Sequence, residues 1–162
     1  MRLATPADLP LVTSMIREFL LEQWKAGAPV CVSHKNLEVY RDLARCYLTG
    51  SLFGVVVLDE DGQAFVLAGE ESGPPRFETT LGKTATLWAA WTSPELRQHG
   101  RAKEMVLFAC ERLSELGIDT LVMASREQNP ASQAGAKAIG ATLEERVYYR
   151  SLKGPPEKTH AN

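Results

Sequence analysis

The residues from Thr92 to Lys103 (Thr92-Ser93-Pro94-Glu95-Leu96-Arg97-Gln98-His99-Gly100-Arg101-Ala102-Lys103) are of the types needed to hold a phosphate. They join a β-rich run to the most periodic helical run of the chain. A helix start exposes N–H groups that have no intrahelical acceptor, and it carries partial positive charge, so it attracts anions. Gly100 removes a side chain where a phosphate must approach the backbone, and Ala102 keeps the neighbouring wall low. Arg97, Arg101 and Lys103 add cationic charge. No Lys-Ser or Lys-Thr follows the glycine, as a P-loop requires, so nucleoside triphosphate hydrolysis is disfavoured. The spacing is not G-x-G-x-x-G either, which argues against a Rossmann dinucleotide site.

Several elements must position this stretch. Residues 1–4 suit a short first strand. Thr5-Pro6-Ala7-Asp8 reads as a helix start, with Thr5 as cap, Pro6 in the first turn and Asp8 at the positive end. Val12, Met15, Ile16, Phe19 and Leu20 follow at helical spacing. A second helix carries Leu37, Tyr40, Ala44, Tyr47 and Leu48 and stops at Gly50. Residues 52–58 are valine-rich and read as a buried strand. Asp59-Glu60-Asp61-Gly62 is a hairpin turn, and residues 64–68 return. Residues 84–92 form a third strong strand, in which alternation sets Trp88 and Trp91 on opposite faces.

Residues 97–116 form a helix with the stripe Ala102, Met105, Val106, Ala109, Cys110, Leu113 and Leu116, closed by Gly117. Residues 120–124 read as a strand. Asn129-Pro130 opens a short alanine-rich helix that ends at Gly140, and residues 143–152 read as a last strand. The order β-α-α-β-β-β-α-β-α-β starts with antiparallel strands and ends with a β-α-β crossover. It implies an α/β fold with a mixed, mostly antiparallel sheet flanked by helices, in one domain over residues 1–152. Residues 153–162 are expected to be a disordered tail.

Composition narrows the partners. The 162 residues carry a formal net charge of −2, so bulk electrostatics does not favour a polyanion. The basic residues gather at one small anion site rather than along a face, which argues against nucleic acid. Cys31, Cys46 and Cys110 are too few and too scattered for a disulfide framework, and no C-x-x-C pair suggests zinc. No secretion signal or bilayer-spanning run is read, so the expected setting is cytoplasmic, away from membranes.

The segment Arg97-Gln98-His99-Gly100-Arg101-Ala102 resembles motif A of the GNAT N-acetyltransferase superfamily, Arg/Gln-x-x-Gly-x-Gly/Ala. Asn129, in the helix start after the next strand, is similar to the motif B asparagine. The element order matches too, so the resemblance covers roughly residues 1–152. It implies acetyl-CoA, or another acyl-CoA, as cofactor. The backbone N–H groups of Arg97, Gln98, His99, Gly100, Arg101 and Ala102 would hold the pyrophosphate. The strand end from Ala90 to Thr92 would splay from its neighbour and pair with pantetheine. The implied reaction is direct attack of a primary amine, on a small molecule or peptide, at the thioester carbonyl. A base takes the amine proton, an acid protonates the departing thiolate, and a backbone N–H steadies the oxyanion.

The chain departs from this pattern in three places. Seven residues after Asn129, where the family has its tyrosine acid, stands Ala136. Residues 84–92 contain no Asp or Glu to act as the common strand base. Glu70, Glu71 and Glu127 lie near strand ends as candidate bases, and Tyr148, Tyr149 or Ser125 as candidate acids. Only one strand fits after Gly140, where the family has two. The shortened sheet leaves an edge open to pairing and raises a homodimer as an expectation. The leading reading is therefore an acetyl-CoA-dependent N-acetyltransferase. Its rivals are a catalytically weak or inactive acyl-CoA-binding module of the same fold, and an interaction protein that uses the open edge.

Overall fold

A computed structural model of the chain describes residues 1–27, 33–70, 82–125 and 129–143. Five strands form one sheet in chain order: β1 (Arg2–Leu3), β2 (Gly54–Leu58), β3 (Ala64–Gly69), β4 (Thr84–Thr92) and β5 (Thr120–Met123). β1 to β4 pair antiparallel, whereas β4 and β5 run parallel. Helices α1 (Leu9–Lys25) and α2 (His34–Leu48) precede β2. Helix α3 (Arg101–Glu115) joins β4 to β5, and α4 (Pro130–Ala138) follows β5. The mixed sheet flanked by helices is the expected architecture. All of the expected last strand except Leu143 lies outside the described residues, as does the tail.

Each face of the sheet has its own core. On one, Val12, Met15, Ile16 and Leu20 of α1 and Ala44 and Tyr47 of α2 pack on Val56, Leu58, Phe65, Leu67 and Ala89. On the other, Met105, Val106, Ala109 and Leu113 of α3 pack on Val55, Val57, Ala64, Val66, Ala68 and Ala85. Strands β2 and β3 are thus apolar on both sides, which is why their sequences read as unbroken hydrophobic runs rather than alternating ones. Each fully buried valine, leucine or phenylalanine contributes about 1.5–3 kcal/mol relative to an exposed position.

The first helix starts later than Thr5-Pro6 suggests. Pro6–Asp8 form a 3-10 turn, and α1 begins at Leu9. Asp8 is claimed by other partners: its carboxylate accepts from the Thr5 N–H at 2.8 Å and the Thr5 hydroxyl at 2.9 Å. It also pairs with both terminal nitrogens of Arg2, at 2.8 and 2.7 Å. The Arg2 hydrogen bonds, helped by those from Thr5, hold the Asp8 carboxyl well below the usual carboxylate range. At the β2–β3 hairpin Gly62 has the positive φ, +67°, that the Asp-Gly pair suggests. The buried Asp59 braces that turn, its Oδ1 accepting from the N–H groups of Gln63 and Ala64 at 2.7 and 2.8 Å.

Strand β4 carries a β-bulge. Leu67 of β3 faces Ala89, but the next residue, Ala68, faces Leu87, so Trp88 is the extra residue. An extra residue inverts the alternation beyond it. Leu87 and Ala90 pack against the α3 side, while Trp88, Ala89 and Trp91 pack against the α1/α2 side. The tryptophans therefore share a face, contrary to strict alternation.

The bulge is pinned from α2. The Trp88 indole N–H donates to the Tyr47 hydroxyl at 3.0 Å, and that hydroxyl donates to the Glu70 carbonyl at 2.7 Å. The tyrosine ring lies on two glycines that face each other across β2 and β3, Gly54 and Gly69. A Cβ on either would come within 2.5–2.7 Å of the ring, and one on Gly69 also within 2.6 Å of the Gly54 Cα. Tyr47→Phe keeps the ring and removes the hydroxyl that pairs with the half-buried indole N–H and the Glu70 carbonyl. It should cost about 0.5–1.5 kcal/mol in urea unfolding, with the m-value unchanged.

Candidate functional site

Strands β4 and β5 pair only from Thr84↔Thr120 to Leu87↔Met123. One residue further the bulge begins, and residues 89–92 of β4 stay paired with β3 alone. Among the described residues, the β5-facing edge of β4 from Trp88 to Thr92 thus has no strand partner. The parallel pairing ends with β5 here, and the free edge of β4 is backed by its pairing to β3 on the other side. A main-chain edge of this kind can accept an extended, amide-containing ligand.

The free edge runs on into the loop that leads to α3. Thr92 and Ser93, at the end of β4, are both buried. Ser93 N–H donates to the Gln63 carbonyl at 2.9 Å, which ties the end of β4 to the Asp59 turn. Pro94–Leu96 then make a 3-10 turn, and Arg97 is extended. Gln98 and Gly100 both take left-handed conformations, with φ of +68° and +78°. Gln98 is the single non-glycine residue with positive φ among the described residues. These reversals stop the helix from starting at Arg97, as periodicity suggests, and α3 begins at Arg101.

The start of α3 has no side-chain cap. A Cβ built on Gly100 meets nothing within 4 Å, so the space before the helix is open. The sequence-predicted Gln98, His99, Gly100 and Ala102 are all exposed around it, as is Lys103, and Arg101 is half-buried. Arg101 lies 4.0 Å from Glu104. Its charge also reaches Glu60 in the β2–β3 turn, whose carboxyl is lowered chiefly by a hydrogen bond from the N-terminal ammonium group and only last by Arg101. The arrangement is an uncapped helix N-terminus with open space and cations beside it, and it fits an anion such as a pyrophosphate.

Two of the predicted residues have other partners. The Arg97 Nε donates to the Thr92 carbonyl at 3.0 Å, and its Nη2 donates to both carboxylate oxygens of Glu22, at 2.6 and 2.7 Å. Asn129 caps α4, its side chain accepting from the Ser132 N–H at 3.1 Å. Ala90 sits on the unpaired stretch of β4 with its side chain towards the α3 core. Ala136 lies within α4, where the resemblance places a tyrosine.

Of the candidate proton-transfer groups, Glu70 stands just past the end of β3, its N–H bonded to the Phe53 carbonyl and its carbonyl to Tyr47. Ser125 is exposed beyond β5. Glu71, Glu127, Tyr148 and Tyr149 lie outside the described residues. Sequence reasoning missed Glu22 and assigned Tyr47 to packing alone. Nothing local marks Glu22, which is 75 residues from its partner. For Tyr47 a faint signal existed, since its partners Gly54 and Gly69 are glycines at the ends of two strongly apolar strands. No described helix is long and apolar enough to cross a membrane, and no metal-binding cluster occurs among the described residues.

The chain is thus a mixed α/β protein whose parallel pairing stops at a bulge and is followed by an uncapped helix start. The model of the acetyltransferase (GNAT) family matches residues 13–140, and the chain belongs to that family. No curated sequence matches it. Among solved structures, it is similar to the aminoglycoside N-acetyltransferase AAC(6')-Iy bound to a bisubstrate analogue, CoA-S-monomethyl-acetylneamine. The TM-score is 0.64 and the identity 16%, over 93% of this chain and 95% of that one. A mutant protein from Bacillus halodurans superposes with a TM-score of 0.72 at 14% identity, over 93% and 98%. An acetyltransferase-like protein from Arthrobacter sp. gives 0.66 at 22%, over 93% and 94%. At these identities the likeness is one of fold.

The left-handed turn before α3 makes a stability prediction independent of any ligand. Gly100→Ala meets no neighbour, yet it forces an L-residue to keep positive φ. It should destabilise the protein by about 1–2 kcal/mol in urea unfolding.

Proposed function

We propose that the chain is an acetyl-CoA-dependent N-acetyltransferase that acts on a primary amine of a small molecule or peptide. One observation carries the reading. The pairing of β4 with β5 stops at the Trp88 bulge, and the unpaired edge runs on to an open, uncapped helix start formed by the motif residues. Family membership and the CoA complex of AAC(6')-Iy support it. When bound, the cofactor supplies a thioester carbonyl carbon open to nucleophilic attack.

The chain's residues have separable tasks in this reading. The N–H groups from Gln98 to Ala102 take the pyrophosphate, with Arg101 and Lys103 beside it. The unpaired edge of β4, including Ala90 and Thr92, offers hydrogen bonds to the pantetheine amides. In this reading the amine nitrogen would replace the thiolate at the carbonyl carbon, with the amine proton passing to a base or water and a proton supplied to the thiolate. Glu70 is the carboxylate among the described candidates for the base. With Ala136 at the tyrosine position, thiolate protonation falls to another group or to water. A thiol has a reference pKa near 8.5, so it leaves tolerably without a strong acid.

That same alanine, together with a β4 free of carboxylates, favours the second reading, a module that holds acyl-CoA without turnover. Titration calorimetry with acetyl-CoA and with CoA, followed by an amine screen, separates the two. The enzyme reading expects a Kd in the micromolar range or tighter and repeated turnover on some amine above the uncatalysed thioester reaction. Binding without turnover selects the module. Gly100→Glu places a side chain and a negative charge in the anion space and should abolish binding. Unchanged affinity in that variant would falsify the assignment of this loop.

A further inference from the structure

The motif arginine is not poised towards the open space before α3. One guanidinium spans three elements, with Nε on the carbonyl that ends β4 and Nη2 on both oxygens of Glu22 in α1. We propose that Glu22 is a positioning residue for the loop from Arg97 to Arg101. It holds the Arg97 side chain against α1 as a strut, so that Arg97 shapes the anion cradle instead of lying in it. This inference rests on the cofactor reading for its consequence, though not for its geometry.

Three features of the structure support the strut. First, Glu22 stands on a rigid base. It lies two residues beyond Leu20, and α1 is fixed in the core by Val12, Met15, Ile16 and Leu20. Second, the loop needs an external hold. After the bonds of Leu96 to Ser93 and of Arg97 to Pro94, the next main-chain hydrogen bond among the described residues is that of Glu104 to Gly100. Between them the backbone turns twice through left-handed conformations, one of them at a glutamine. An L-residue in that region is uphill unless its surroundings hold it. Fixing the side chain of Arg97, immediately before Gln98, supplies such a hold.

Third, the charges are matched. A guanidinium already paired with a carboxylate has little net charge to offer a phosphate. Arg101 and Lys103, on the first turn of α3, are the cations placed to meet the ligand. The strut also crosses the end of the sheet. α1 packs on one face and α3 on the other, and Arg97 lies on the chain between β4 and α3. The position of α1 is thereby passed to the cofactor loop.

The test uses the full chain and four proteins: wild type, Glu22→Gln, Arg97→Gln and the double variant. Both side chains are more than a third exposed, so all four should fold. Backbone nitrogen relaxation without ligand is read first, because the amides of residues 98–102 have no main-chain acceptor among the described residues. The strut predicts lower order parameters at residues 98–102 in both single variants, with the core helices unchanged. Unchanged order parameters in Glu22→Gln overturn it.

CoA affinity is read second, by calorimetry across a range of salt concentrations. Glu22→Gln should bind about tenfold more weakly, because the cradle is no longer pre-organised. The double variant should be no worse than either single one, as expected of two groups acting as a unit. The salt dependence of wild type and Arg97→Gln should match, since a strut removes no phosphate contact. If Arg97 instead binds phosphate directly, Glu22→Gln binds as tightly as wild type or tighter, and Arg97→Gln alone loses affinity with a flatter salt dependence. That pattern refutes the strut. Should wild type fail to bind CoA while the order parameters of residues 98–102 fall in Glu22→Gln, the strut stands and the cofactor reading falls.

Discussion

The parallel pairing of β4 with β5 stops at Leu87 and Met123, and the rest of the site depends on that stop. Had it continued, the main-chain groups of the second half of β4 would be consumed within the sheet. Had β4 been an ordinary edge strand, the same groups would be open but loosely held. The bulge at Trp88 gives neither outcome. Beyond it residues 89–92 stay paired with β3 and have no β5 partner, so an unpaired edge is carried on a rigid support. The support is itself buried on both faces, and the turn at its far end, built on Asp59, holds Ser93 where the chain leaves the sheet.

Charge is distributed along the loop by the same logic. The segment carries cationic side chains at 97, 101 and 103, which from sequence alone look interchangeable. Geometry separates them. One is neutralised by a carboxylate on a helix from the opposite layer, and the others flank an uncapped helix end. In the proposed strut, a cationic motif residue serves a phosphate site without touching the phosphate, through the shape of the backbone that does.

Much of this was legible in the sequence. The valine-rich runs, the Asp-Gly turn and the Asn129-Pro130 helix start are local signals, and each lies where it was read. The motif was legible too, because its glycine spacing is tied to a strand before it and a helix after it. What was not legible is non-local or depends on an added residue. Strict alternation places Trp88 and Trp91 apart, and one bulged residue reverses that. Apolar periodicity extends the long helix back to Arg97, but two left-handed residues, one of them a glutamine that no propensity marks, delay it to Arg101. The Glu22–Arg97 pair joins residues far apart in the chain, and neither residue type signals the other.

Gly54, Gly69 and Tyr47 form a lock whose parts constrain one another. The ring occupies the volume that a side chain at either glycine would need, and the glycines approach each other too closely for Gly69 to carry one. Exchange of the tyrosine for a smaller residue would leave a hollow, and enlargement of a glycine would evict the ring. Drift in this part of the chain is therefore confined to concerted changes. Two glycines in a strand pair, usually a sign of weakness, here mark a point where one change demands another.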